Sequence, residues 1–138
     1  MPKTAHRPAY AELHCLSNFT FLRGASRPEE LVHSAAALGY RALAVTDECS
    51  FAGLVRAHVA AREYQLKLIA GTEVTCSDGT LFLPLANSVA AYRCISKLIT
   101  TARRRSTKGC YALDLADLET LTDGLVIFLP VYDATDSG

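Results

Sequence analysis

No stretch of this sequence approaches the roughly 18 to 20 consecutive apolar residues that a bilayer-spanning helix needs. The opening Met1-Pro2-Lys3-Thr4-Ala5-His6-Arg7-Pro8 has no apolar segment behind its charges either. No membrane anchor or secretory signal is therefore expected, and the chain is expected to stay in the cytoplasm. An excess of charge of either sign is missing too. Lysine plus arginine number 14, as do aspartate plus glutamate, so no overall field draws the protein to nucleic acid or an anionic surface. The five cysteines, Cys15, Cys49, Cys76, Cys94 and Cys110, are odd in number, show no C-x-x-C spacing and sit mostly in apolar segments. That argues against a disulfide framework or a zinc knuckle and for small buried thiols. There is no P-loop, no G-x-G-x-x-G, no G-x-S-x-G, no zinc finger, no internal repeat and no low-complexity segment.

What is present is a chain of 138 residues, half of them hydrophobic and 20% charged, enough for one globular core and short for two. Residues 1–9 read as a disordered leader. Tyr10 to Leu16 alternates as a strand, with Glu12, His14 and Leu16 on one face, and Ser17 to Ser26 reads as a loop. Ser26-Arg27-Pro28-Glu29-Glu30 announces a helix, with Ser26 as N-cap, Leu31, Ala35 and Leu38 as its buried stripe and Gly39 as its stop. Arg41 to Thr46 is a nearly continuous apolar run, the pattern of a strand covered on both faces. A second helix is predicted from Ser50 to Tyr64, carrying Leu54, Val55, His58, Val59 and Arg62 at helical spacing. Lys67 to Thr75 and Leu81 to Leu85 look like a hairpin about the Ser77-Asp78-Gly79 turn. Ser88 to Arg103 reads as an amphipathic helix with Val89, Tyr92, Ile95, Leu98 and Ile99 on its apolar side. Asp114 to Thr120 reads as a short helix, Leu125 to Pro130 as a fifth strand, and residues 131–138 as a truncated tail.

This order is α/β, with crossovers that favour a parallel sheet or a barrel of βα units. Five strands followed by a short tail look like the opening portion of a larger barrel. In such folds reactive groups gather at the carboxyl ends of strands, where this sequence places His14, Asp47 with Glu48, and Glu73. One histidine and three acids make a metal or acid–base constellation chemically reasonable. Each also has a plainer reading: His14 as a rim histidine, Asp47 as a cap for the next helix, Glu73 as one half of a cross-strand pair. A carboxylate within an apolar strand is costly unless paired, protonated or coordinated. The run Arg103-Arg104-Arg105 with Lys108 is either a solvated helix end favoured by the macrodipole or a contact for nucleic acid or another domain.

The segments Glu12-Leu13-His14-Cys15-Leu16-Ser17-Asn18-Phe19, Leu22-Arg23-Gly24-Ala25-Ser26, Val45-Thr46-Asp47-Glu48-Cys49 and Ala70-Gly71-Thr72-Glu73 closely resemble the amino-terminal PHP domain of bacterial C-family DNA polymerases. The wording is closer to the error-prone branch than to the replicative one, and the likeness runs from about Tyr10 to Leu129, within a partial domain over residues 10–130. The resemblance implies a PHP-type distorted, seven-stranded βα barrel, TIM-like, of which about the first five strands are here. It implies metal ligands for phosphoester hydrolysis at the strand ends, and at those positions this chain departs from the pattern. His14 and Glu73 match the family. Leu16 replaces a histidine, Arg23 stands where an aspartate is common, Glu48 replaces a histidine and Leu81 falls where another is frequent. His14, Glu48 and Glu73 are thus a degenerate ligand set, suited at most to weak binding of one divalent metal, since a zinc site takes three or four protein ligands.

The resemblance therefore implies a non-catalytic scaffold portion of an error-prone polymerase acting in damage-induced mutagenesis and translesion synthesis. The parent's magnesium chemistry lies in a palm domain not present in these residues. The implied partners are the remaining polymerase domains or subunits, DNA through the parent enzyme, and a second copy through open strand edges. Two other readings stay open: a small metal-dependent phosphoesterase using His14, Glu48 and Glu73, and a free-standing interaction module.

Overall fold

The structure, a computed structural model, describes residues 8–129. The expected leader, apart from Pro8 and Ala9, and the expected tail lie outside them, as does Pro130. The elements are β1 (Ala11–Glu12), α1 (Pro28–Ala37), β2 (Ala42–Val45), α2 (Leu54–Glu63), β3 (Lys67–Gly71), β4 (Val74–Thr75), β5 (Leu81–Ala86), α3 (Val89–Arg104), a 3-10 turn (Leu115–Thr120) and β6 (Leu125–Leu129). They form a mixed α/β architecture around one sheet of six strands. Strands β1, β2 and β3 run parallel, and β5 runs antiparallel to β3, β4 and β6. Strands β3 and β4 lie end to end along one side of β5, with β6 along the other.

All four residues of β2 are buried, as its continuous apolar run requires. Leu43 and Val45 face Val32 and Ala35 of α1 and Ala57, Ala60 and Ala61 of α2. On the opposite face Ala44 packs with Leu83 and Leu85, against Ile69, Ile127 and Leu129. A third cluster lies under α3, where Phe82, Val74 and Cys49 meet Leu98, Ala102 and Leu113. No helix among the described residues is long and apolar enough to cross a membrane.

Several sequence expectations need correction. The first strand ends at Glu12, not Leu16, because the Glu12 carboxylate takes the amide of His14 at 3.1 Å. Helix α1 is capped by Arg27, one residue after Ser26; the Ser26 carbonyl instead closes the preceding loop by accepting from the Asn18 amide at 2.8 Å. Its buried residues are Pro28, Val32 and Ala35, and Leu38 at the C-cap is 58% exposed. Helix α2 starts at Leu54, and its buried face is Ala57, Ala60 and Ala61, leaving Val55 and Val59 72% and 64% exposed. Alanine lets a helix approach its neighbours closely, so a seam of small residues wins the interior although it contributes less apolar area. In α3 the buried residues are Ala91, Ile95, Leu98 and Ala102, with Val89 and Tyr92 exposed.

The expected strand from Lys67 to Thr75 is interrupted after Gly71, which makes six strands of the expected five. The register does not shift across the gap: Gly71 pairs with Leu85 before it and Val74 with Phe82 after it. That places Thr72 opposite Pro84. The Thr72 amide donates to the Pro84 carbonyl at 3.1 Å, but proline has no N–H to return the bond, so the ladder breaks there.

Candidate functional site

Each of the parallel strands β1, β2 and β3 releases a polar residue at its carboxyl end. His14 follows β1, Asp47 and Glu48 follow β2, and Thr72 and Glu73 follow β3. The β2 and β3 extensions are held side by side. The Glu73 amide donates to the Asp47 carbonyl at 3.1 Å, and the Cys49 amide donates to the Glu73 carbonyl at 2.8 Å, a parallel bridge between Glu48 and Glu73. The Thr72 hydroxyl donates to the Asp47 carbonyl at 2.7 Å and accepts from the Ser50 amide at 3.1 Å. Residues 50–53, expected in the second helix, precede it, and Ser50 is tied to this edge through its amide.

Glu73 is the centre of the cluster, with a side chain 1% exposed. His14 Nε2 lies 2.5 Å from Glu73 Oε2, and Arg23 Nη1 donates to Glu73 Oε1 at 2.5 Å. The same Arg23 nitrogen donates to Glu48 Oε2 at 3.2 Å, while the Tyr111 hydroxyl donates to Glu48 Oε1 at 2.9 Å. The bond to Glu73 raises the pKa of Arg23 further above its ordinary value. Burial pushes the Tyr111 phenol up to about 12, so it stays a donor. A polar chain thus runs Tyr111–Glu48–Arg23–Glu73–His14 across the edge.

Asp47 does not join that chain and does not cap α2, whose N-cap is Gly53. It is 2% exposed and faces the loop after β1, accepting from the Ser17 amide and hydroxyl and from the Thr20 hydroxyl. The Thr20 hydroxyl oxygen accepts in turn from the Glu48 amide at 3.0 Å. Gly24 lies against the Ser17 carbonyl so closely that a Cβ there would fall 1.9 Å from its oxygen.

The sequence-predicted ligands His14, Glu48 and Glu73 therefore do share one edge, but the Arg23 guanidinium stands between the two acids. Among the described residues no group of three His, Cys, Asp or Glu side chains is placed to hold a metal ion. Tyr111, Ser17 and Thr20 are members of the constellation that sequence reasoning did not select, and it noted Arg23 as a departure from a usual aspartate, not as a partner of the two acids. The available signal for Arg23 was the need of a buried carboxylate for a counter-charge.

The basic run does not present one surface. Arg103 donates to the carbonyls of Glu48, Cys49 and Cys110, with its guanidinium 5.3 Å from the Tyr111 ring centre. Arg105 pairs with Asp117 through bonds of 2.5 and 2.9 Å. Arg104 and Lys108 are exposed. Among the cysteines, Cys49 and Cys76 are buried as expected, Cys15 and Cys94 are half-buried, and Cys110 is exposed.

Comparison with known proteins adds an independent line. The PHP domain family model matches residues 12–132. The chain is 54% identical over 129 residues to an error-prone DNA polymerase of Dechloromonas aromatica, covering 89% of this chain and 13% of that protein. It is 54% identical over 123 residues to an error-prone DNA polymerase of Pseudomonas aeruginosa, covering 88% of this chain and 12% of that one. The chain therefore spans about an eighth of the length of these curated relatives, corresponding to their N-terminal regions. Among solved structures, a protein assigned as a metal-dependent phosphoesterase from Bifidobacterium adolescentis superposes with a TM-score of 0.57 at 30% identity, covering 70% of this chain and 34% of that one. An amidohydrolase from Chromobacterium violaceum, solved with bound sulfate and no metal, gives 0.56 at 28% identity with the same coverage of 70% and 34%. The sheet is curled into part of a barrel, and these neighbours have a distorted barrel fold.

Proposed function

The chain belongs to the PHP domain family, and from that premise we propose that it is the N-terminal scaffold portion of an error-prone DNA polymerase. In this reading it does not hydrolyse phosphoesters, and it supports a polymerase that copies damaged templates during induced mutagenesis and translesion synthesis in the cytoplasm. Its partners are the remaining domains or subunits of that polymerase, which also bring it to DNA. Strands β1 and β6, which each pair on one side only among the described residues, supply edges for those contacts or for a second copy.

One observation carries the reading: both oxygens of the Glu73 carboxylate are already engaged by His14 and Arg23. Each oxygen is thereby committed to one short bond, and a metal ion approaching this acid would have to displace the Arg23 guanidinium to bind it. Nucleotidyl transfer would need the palm carboxylates of the longer polymerase.

The test is hydrolysis of a generic phosphodiester by the purified chain, with manganese, zinc and magnesium in turn. The expected result is no turnover above buffer with any of them. Metal-dependent turnover lost in Glu73→Gln would instead establish the phosphoesterase reading that the Bifidobacterium neighbour suggests.

A further inference from the structure

The family fold implies metal ions at this edge, and the residues present do not fit them. The two acids that should face an ion are bridged by a single guanidinium nitrogen, at 2.5 Å from Glu73 and 3.2 Å from Glu48. We propose that Arg23 is the resident cation of the site. Its guanidinium stands between Glu48 and Glu73 where a divalent metal would bind, so the chain excludes metal while Arg23 is present and admits it once Arg23 is removed.

The placement of Arg23 is built rather than incidental. Its amide and that of Gly24 donate to the Thr20 carbonyl at 3.2 and 3.0 Å, and the Thr20 hydroxyl is held by Asp47. Leu22, the residue before it, is held at a φ of +66°, a conformation that costs energy for a leucine and persists only where its surroundings impose it. Only glycine fits at position 24 against the Ser17 carbonyl. The loop thus delivers one positive charge to a carboxylate that is 1% exposed, where an unpaired charge is strongly unfavourable. The guanidinium also differs from a metal in function. It pairs with and orients both carboxylates, but it has no open coordination position at which to activate water.

The inference rests on the scaffold reading above. It is tested with the full chain as wild type, Arg23→Ala, Arg23→Lys and the double variant Arg23→Ala with Glu73→Gln. Each is titrated with cobalt(II) and zinc, read by the cobalt absorption spectrum, by metal analysis after desalting and by thermal unfolding. Wild type and Arg23→Lys are expected to bind no stoichiometric metal and to show no metal-dependent shift in Tm. Arg23→Ala is expected to lose about 10 °C, to bind metal weakly and saturably in the titration without retaining it through desalting, and to regain part of the loss when the metal is added. The double variant, which removes both charges, is expected to fold without metal and to bind none.

Stoichiometric metal in the wild type, or an Arg23→Ala chain that is fully stable and metal-free, overturns the proposal. Should Arg23→Ala fail to fold in either condition, the double variant decides. Its folding supports a charge role, and its failure means that Arg23 acts through packing, which also overturns the proposal. Wild type that binds metal without hydrolysing a phosphoester sinks this inference alone. Hydrolysis without bound metal sinks the scaffold reading alone.

Discussion

Ser17 is bound to Asp47 twice, its amide to Oδ1 and its hydroxyl to Oδ2, each at 2.7 Å. Both residues are buried, at 0% and 2% exposure, so these bonds are formed away from competing water. Together with the Thr20 hydroxyl at 2.8 Å they make Asp47 the post to which the Arg23 loop is tied. Asp47→Ala would leave the Ser17 and Thr20 donors unpaired inside the protein. The expected cost is about 3 kcal/mol or more, read as a lower urea midpoint with an unchanged m-value.

Gly24→Ala tests the same loop from its other end. The added Cβ would sit 1.9 Å from the Ser17 carbonyl oxygen and 2.5 Å from its carbon, so backbone must move. Overpacking of this kind costs about 1–3 kcal/mol. Loss of the Arg23 bond to Glu73 is expected alongside it, seen as faster amide exchange in residues 17–26 with exchange in β2 unaltered.

The thiols should separate by reactivity. Burial pushes Cys15 and Cys49 each up to about 11, and it raises Cys76 as well. Cys110 is exposed. A thiol-disulfide reagent at pH 8 is expected to modify Cys110 first and to reach Cys49 and Cys76 only as the protein unfolds. Early modification of Cys49 in native protein would show that the cluster under α3 opens on its own.

Acid should erase the contribution of the Arg105–Asp117 pair. The hydrogen bonds from the Arg105 guanidinium, and then from the Asp114 amide, hold the Asp117 carboxyl below its ordinary value. A folded-state value lower than the unfolded one gives stability that is present above the unfolded value, about 3.9, and is lost as pH falls through the folded one. Arg105→Ala is therefore expected to be slightly less stable than wild type at pH 7, the effect being small because solvent screens a pair this exposed. The difference should vanish in strong acid and shrink in high salt.

Local signals made much of this fold legible. The run Ala42 to Val45 announced a strand covered on both faces, Pro28 and Gly39 bracketed α1, and Ser88 caps α3 by accepting from the Ala91 amide. Failures came where a decision was non-local. The inner face of α2 belongs to Ala57, Ala60 and Ala61 because of what they pack against, and periodicity weighted by hydrophobicity favours Val55 and Val59 instead. The break after Gly71 depends on Pro84 in another strand. The acids and the histidine at the strand ends could be picked out by position, since a βα fold puts them there. Arg23 stood out only as a departure from a usual aspartate, and its pairing with Glu73 could not be read, because it lies 50 residues away and is recruited by a loop whose conformation Asp47 sets.

The contacts of the polar edge join residues far apart in the chain: 63 positions for Tyr111 with Glu48, 59 for His14 with Glu73 and 50 for Arg23 with Glu73. Bonds of that span yield nothing until the strands that carry them are already together, because loop closure must come first. The edge is therefore expected to form late in folding, after the transition state. Substitutions along it should leave the refolding limb of a chevron nearly unmoved and raise the unfolding limb. The five side chains then act as a kinetic latch, setting how long the folded domain lasts and not how quickly it forms.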